Sequence, residues 1–338
     1  MEKLTVKDIA RESGYGTGTV SRVLNSEPHV SKKARDAIMK VIEDNHFQRN
    51  ENARALRAQA EAGIGTLVKG KNNPLLGAIV EDIHRRLAPL DIASSISYMS
   101  EKGDEKSSIA NLISAQNPKG LLLVGSNLDF AKDGKAGFKI PAVVITNSAV
   151  SLNIPNVSSV CTDDHAASVA MVNYLIEMGH RKIGVIGGDP KGSALSLNRL
   201  FGCQMAMMQH GIFFDLQKQY VPSEFSFQGG YDAVIELNKK FPEATAVFAL
   251  SDEIAIGAMR AVYDSGKSVP ADLSIAGFDG IEFSRFTHPV LTTIRQDTAQ
   301  IAARSLDILM RKIKGESGAV YENVPFIFQK GTSVRKLS

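Results

Sequence analysis

In the first fifty positions apolar residues recur at helical spacing; beyond them they gather into short runs. Val6, Ile9 and Ala10 share one side of an α-helix that Thr5 can N-cap and Gly14 ends. A second helix is predicted from Gly16 or Thr17 to Leu24, burying Val20, Val23 and Leu24. A third starts after Pro28 with Ser31 as its cap, and Ala34, Ile38, Val41 and Ile42 extend its apolar stripe toward Phe47. Three short helices of this kind make a bundle that covers one side of the second helix. Its other side carries Thr17, Gly18, Ser21, Arg22 and Asn25. That is the layout of a helix-turn-helix, whose second helix enters a DNA major groove. It is equally the pattern of a small amphipathic bundle with an ordinary polar outer face.

From Gly63 onward the period changes. Apolar runs at 64–68, 92–98, 121–124, 143–146, 182–187, 246–250, 273–278 and 291–294 read as strands. Helical patterns at 75–87, 109–116, 165–178, 199–209, 254–265 and 299–313 alternate with them. Such alternation predicts an α/β body with parallel sheets and crossover helices. The strands are too many for one ordinary sheet, so two Rossmann-like subdomains with a cleft between them are expected. A ligand would sit beyond the carboxyl ends of the strands. Between headpiece and body, residues 49–58 (Arg-Asn-Glu-Asn-Ala-Arg-Ala-Leu-Arg-Ala) are rich in helix formers but too few to be a stable helix alone.

Composition narrows the function class. Of 338 residues, 43% are hydrophobic and 22% charged, as in an ordinary globular protein. No apolar run approaches the ~18 residues of a membrane span, and charges stand where an export signal needs apolar residues, so a cytoplasmic protein without a membrane partner is expected. Residues 1–60 hold 11 Lys/Arg against 8 Asp/Glu, so the whole +3 excess lies there, where phosphate contact would use it. Cys161 and Cys203 are too few for a disulfide framework or a thiolate metal site and read as buried thiols. The seven histidines show no metal spacing, with His180 read as a structural turn residue, and no nucleophile–base set or cofactor loop is evident. An enzyme, a cofactor and a metal are therefore not expected.

On the outer face of the second helix, Arg22 can make a paired contact to guanine, and Ser, Thr and Asn can donate to phosphates. Gly18 costs roughly 1 kcal/mol of helix stability relative to alanine. A missing side chain would let the helix backbone approach a groove closely.

Particular residue strings add a resemblance. Thr5-Val6-Lys7-Asp8-Ile9-Ala10, then Thr19-Val20-Ser21-Arg22-Val23-Leu24-Asn25 and Val30-Ser31, resemble the headpiece of the LacI/GalR family of bacterial transcription regulators. The resemblance continues through Asn73-Pro74, Glu177-Met178-Gly179-His180-Arg181-Lys182-Ile183, Asn198-Arg199-Leu200-Phe201-Gly202, Ser251-Asp252-Glu253, Gly277-Phe278-Asp279 and Pro289-Val290-Leu291-Thr292-Thr293. It implies a helix-turn-helix headpiece over 1–48, a hinge helix and linker over 49–60, and a periplasmic-binding-protein-type body over 61–338. The expected N-lobe is 61–160 plus 292–320, and the C-lobe 161–291 plus 321–338. It implies base contact by Thr17 and Arg22 around Gly18. Thr5, Thr19, Ser21, Asn25 and Ser31 would contact the DNA backbone, with His29 near it, and Leu56 would wedge into the minor groove. Tyr15-Gly16 departs from the family's usual Val-Ser, which removes one hydroxyl.

For the body the resemblance implies an effector held by Arg199 and Asp279, with Ser251 and Phe225 beside them and Leu75 and Leu76 on the opposite wall. A donor fork and a carboxylate suit vicinal hydroxyls. The expected function is a homodimeric, effector-controlled repressor on a pseudo-palindromic operator, its effector a sugar or sugar phosphate. The alternatives are a two-lobed sugar-binding protein without a DNA role, or a corepressor-dependent, nucleobase-responsive regulator. The chain carries no terminal leucine heptads, so a coiled-coil tetramer is not expected.

Overall fold

A computed structural model describes residues 6–24, 30–45, 63–70, 73–90, 92–131 and 138–337, in two compact units divided between Ala60 and Glu61. Thr5, Asn25, His29 and Leu56, and with them the hinge segment, lie outside the described residues, as do the side chains of Ser21 and Leu24.

In the first unit α1 (Val6–Ser13), α2 (Thr17–Leu24) and α3 (Lys32–Asp44) pack around Ile9, Ala10, Val20, Val23 and Ile38. Gly14, at φ +75°, ends α1, and Tyr15 N–H closes on Ala10 O at 3.2 Å, the left-handed helix stop that glycine permits. Gly16 stands at the start of α2, its carbonyl accepting from Thr19 and Val20. Ser31 caps α3 by accepting from Ala34 N–H at 3.3 Å.

The second unit holds two six-stranded sheets. One, in the order β11-β5-β4-β3-β1-β2, uses β1 (Ile64–Lys69), β2 (Ser94–Met99), β3 (Gly120–Val124), β4 (Ala142–Ile145), β5 (Val157–Thr162) and β11 (Tyr321–Val324). The other, in the order β12-β10-β9-β8-β6-β7, uses β6 (Ile183–Gly187), β7 (Tyr220–Pro222), β8 (Ala246–Ala249), β9 (Ser274–Asp279), β10 (Thr292–Arg295) and β12 (Ile327–Gln329). The strands are parallel except β12, which runs antiparallel to β10. Helices α4 (Pro74–Leu87), α5 (Glu105–Gln116) and α11 (Thr298–Ile313) flank the first sheet. In the second lobe α6 (Asp164–Glu177) and α7 (Ala194–Gln209) cover one sheet face. After the short α8 (Leu216–Gln219), α9 (Phe227–Lys240) and α10 (Asp252–Asp264) cover the other. Central strands such as β3, β4, β6 and β8 are buried along their whole length, as a parallel sheet covered on both faces requires.

The lobe boundaries differ from the sequence reading at two strands. β10 belongs to the second sheet, paired with β9 from Thr292↔Ala276, rather than to the N-lobe. β11 belongs to the first sheet, paired with β5 from Tyr321↔Ser159, rather than to the C-lobe. The chain passes between sheets at 162–164, 295–298 and 324–327, so a lobe is set by pairing, not by contiguous sequence. β5 was not anticipated because Val-Ser-Ser-Val-Cys-Thr is no apolar run. Its serines are buried yet satisfied, Ser158 Oγ accepting from Val320 N–H at 3.1 Å and Ser159 Oγ from Ala149 N–H at 3.0 Å. Cys161 and Cys203 are both buried free thiols.

Candidate functional site

Two separate places gather the chemistry. In the first unit the helical period sets Gly18 and Arg22 on the side of α2 away from Val20 and Val23, which are buried, with Thr17 at the start of the helix. Thr17, Gly18 and Arg22 are exposed and Thr19 is half-buried. A Cβ built on Gly18 meets no atom within 4 Å, so no packing requirement holds this position to glycine. Ser31 is exposed, its oxygen engaged in the α3 cap and its hydroxyl proton left to donate elsewhere.

In the second unit the carboxyl ends of the strands carry a buried polar cluster. Arg199, on α7, is only 2% exposed. Its Nε donates to Asp164 Oδ1 at 2.8 Å and its Nη1 to Leu250 O at 2.5 Å, while Nη2 lies 3.4 Å from Asp279 Oδ1. The guanidinium also stacks 3.7 Å from the centre of the Phe278 ring. Of its five N–H groups, these contacts leave some to a ligand. Asp279 closes β9 at φ +107°, a strained value for a residue with a side chain, and is held there by Gln296, whose Nε2 donates to Oδ1 at 2.8 Å. Gln296 in turn accepts from Thr162 Oγ1 at 2.9 Å, tying the strand ends of the two lobes together.

Burial pushes the Asp279 carboxyl up to about 6, against the pull of Arg199 and the Gln296 hydrogen bond. Asp164 is raised too, by burial first, with Arg199 opposing. Asp252 is raised well above its ordinary value by burial and by Asp279. It accepts from Ile281 N–H at 2.8 Å and Thr293 Oγ1 at 2.5 Å, fixing the loop after β9 to β10. Glu253 reaches about 7 through burial, then Asp279 and Glu101, the last contributed from the other lobe. At the rim Lys102 Nζ meets Glu224 Oε1 at 2.9 Å, lobe to lobe.

The residues expected around an effector are thus only partly brought together. Arg199 and Asp279 are in contact. Ser251, fully buried, spends its oxygen capping α10, accepting from Ile254 N–H at 3.2 Å. Phe225 is half-buried, its ring edge where a Cβ on Gly188 would be. Leu75 and Leu76 are buried in the core of the first lobe, more a floor than an open wall. In the first lobe Glu105 accepts from Ser126 Oγ and lies 3.5 Å from Lys69 Nζ. Asn147 Nδ2 donates to Ser126 O at 2.9 Å. Asp164, Asp252, Glu253 and Gln296 were not anticipated from sequence. One signal existed for Asp164: Asp163 already caps α6 by accepting from Ala166 N–H at 2.9 Å, so a second consecutive acid has no local use. A surface cavity of about 660 Å³ between the far end of α4 and α11, lined by Asp82, Arg85 and Leu90 among others, is apart from this cluster. His180, fully buried, bonds Thr245 Oγ1 and Arg335 O at 3.0 Å each and serves the fold.

Comparison with known proteins gives matching results. Residues 5–50 match the profile for bacterial regulatory proteins of the lacI family, and residues 172–328 that for a periplasmic binding protein-like domain. The chain is 30% identical to the HTH-type transcriptional regulator MalR of Clostridium butyricum over 92% of this chain and 93% of that one. It is 32% identical to the ribose operon repressor of Haemophilus influenzae, over 92% of each. The lac repressor dimer bound to operator and the anti-inducer ONPF superposes with a TM-score of 0.75 at 25% identity, covering 99% of this chain and 100% of that one.

Proposed function

The chain belongs to the lacI family of bacterial regulatory proteins, and on that premise we propose that it is an operator-binding repressor controlled by a neutral sugar. Family members of this architecture are transcription regulators rather than enzymes. The observation that carries the effector class is the Arg199–Asp164–Asp279 cluster at the strand ends. Two carboxylates already neutralise the single guanidinium there, and Asp252 and Glu253 stand beside them. A phosphate would bring its charge into a low-dielectric site whose one guanidinium is already paired, whereas neutral hydroxyls can both donate to the carboxylates and accept from Arg199. Phe225 can cover the apolar face of a sugar ring. The sugar phosphate anticipated from sequence is therefore disfavoured. The name of the Haemophilus relative favours a carbohydrate as well.

On the DNA side, Thr17, Gly18 and Arg22 would face base edges, with Thr5, Thr19, Ser21, Asn25, His29 and Ser31 at the backbone and Leu56 in the minor groove. Two copies are needed for a pseudo-palindromic site. Exposed Ile96 and Tyr98 on the edge strand β2, and Phe283 and Phe286 after β9, offer apolar surface for that pairing. Among the described residues no helix is long and apolar enough to cross a membrane.

A thermal-shift screen tests the effector. Neutral mono- and disaccharides are compared with sugar phosphates, nucleosides and nucleobases on the full chain. One neutral sugar at 100 times its Kd raises stability by about 2.7 kcal/mol and changes the affinity for a selected palindromic fragment. A shift with a phosphorylated sugar alone would overturn the charge argument, and binding to no palindrome would overturn the regulator.

A further inference from the structure

Among the described residues, four buried side-chain oxygens have no hydrogen-bond partner: those of Ser168, Tyr174, Ser196 and Ser305. Three of them lie where elements of the fold pack together. Ser168 sits against Gly202, where α6 meets α7, and the Tyr174 ring lies on Phe328. Ser305 is on the buried side of α11 in the first lobe. Ser196 is placed differently. It is fully buried in the first turn of α7, and a Cβ built on Gly188 would overlap both its hydroxyl oxygen and the edge of the Phe225 ring. Gly188 follows β6, so this hydroxyl stands at the carboxyl end of a central strand, where a ligand of this kind of fold is held. Three residues further along α7, one turn away, Arg199 donates to Leu250 O, and the Leu250 side chain abuts Gly187. Ser196, Phe225, Leu250 and Arg199 therefore meet around Gly187 and Gly188.

Nothing local uses the Ser196 hydroxyl. The cap of α7 is Ser193, whose oxygen accepts from Ser196 N–H at 3.3 Å. The neighbouring Gly188 carbonyl accepts from Tyr220 OH. Alanine at 196 would suit the helix better and bury no unpaired polar atom. A buried hydroxyl without a partner is a standing cost to the folded chain. A sugar hydroxyl would remove that cost, because each of the two groups can both donate and accept.

We infer that Ser196 is a specificity residue of the effector site, pairing with one hydroxyl of a neutral sugar held between Arg199 and the Phe225 ring. The inference rests on the sugar reading proposed above. Binding the right sugar satisfies the buried serine, whereas an analogue lacking that hydroxyl leaves it unpaired. Phe225, half-buried on the connection from β7 to α9, is the cover through which the sugar enters. Its neighbour Glu224 is the exposed partner of Lys102 in the first lobe, so parting of the lobes frees this connection and lets the ring move off Ser196.

Calorimetric titration of the full chain tests the inference, with D-ribose, D-glucose, D-galactose, maltose and cellobiose as the neutral probes. For a sugar that binds, its single-deoxy analogues are then titrated into the wild type and Ser196→Ala. The substitution should weaken the parent sugar roughly tenfold or more. One deoxy analogue should lose a similar factor on the wild type, yet bind both proteins alike, which a purely structural serine would not produce. Without sugar, Ser196→Ala should melt about 2–5 °C above the wild type, since an unpaired buried hydroxyl is removed. Equal binding of the parent sugar by both proteins overturns the inference and leaves the sugar reading standing. A lower melting temperature for ligand-free Ser196→Ala also overturns it, for the hydroxyl would then serve the fold. Failure of the wild type to bind any of these sugars overturns the inference together with the sugar reading.

Discussion

Replacing Arg199 by alanine should cost stability in a way that pH reverses. Arg199 holds Asp164 at 2.8 Å and Asp279 at 3.4 Å, all three side chains almost without exposure. Removing it leaves two buried carboxylates unpaired, and breaking a buried pair costs about 3–5 kcal/mol. At about 2–3 °C per kcal/mol for a body of this size, Tm near pH 8 should fall by roughly 6–15 °C. The guanidinium is the main influence lowering both carboxyls, so without it their folded pKa values climb further above the unfolded ones. A raised carboxyl binds its proton more tightly in the folded state, so its contribution is present at low pH and lost as pH rises through the folded value. At pH 5.5 the acids of the variant, their carboxyls raised further by the loss of Arg199, carry less charge than at pH 8, and the loss should shrink to roughly half, leaving the missing hydrogen bonds and the Phe278 stack. Thermal or urea denaturation followed by circular dichroism at the two pH values measures this. An equal loss at both would refute the reasoning, for then the penalty is packing and not unpaired charge. Arg199→Ala used as an effector-site knockout must accordingly be read beside its own stability.

Glu253, raised to about 7 from an ordinary 4.5, should make stability fall as pH rises between those values; Glu253→Gln should remove that part of the slope and stabilise the protein at pH 8 by about 2 kcal/mol, with no gain at pH 4.5, checked by urea denaturation. Gly18→Ala meets no neighbour in the headpiece and should raise headpiece stability by roughly 1 kcal/mol in a thermal melt. If α2 lies close in a groove, the same change should weaken operator binding in a mobility-shift titration, and unchanged affinity would argue against close backbone approach. Gly257→Ala should destabilise the second lobe by several kcal/mol, because a Cβ there would overlap the Phe227 carbonyl of the adjacent helix; a Tm within a degree of wild type would contradict that helix contact.

The headpiece helices were legible because their information is local. Gly14, the Ser31 cap and the spacing of Ile9, Val20, Val23 and Ile38 act within a few residues. The central strands were legible for the same reason, as apolar runs between turns. β5 was not, because its serines are satisfied by partners elsewhere in the chain, and neither were the short edge strands β7, β11 and β12, which exist by pairing.

The amino-acid order by itself determined the class of fold, the family resemblance and the contact-ready face of α2, since propensity and periodicity are properties of neighbouring residues. Tertiary structure decided which lobe owns β10 and β11, and that Asp164, Arg199 and Asp279, far apart in sequence, share one charge balance. It also decided that Ser251 is a helix cap and that Leu75 and Leu76 belong to a core. Those outcomes depend on which groups lose water together, and burial of that kind is set by the packed whole rather than by any stretch of the chain.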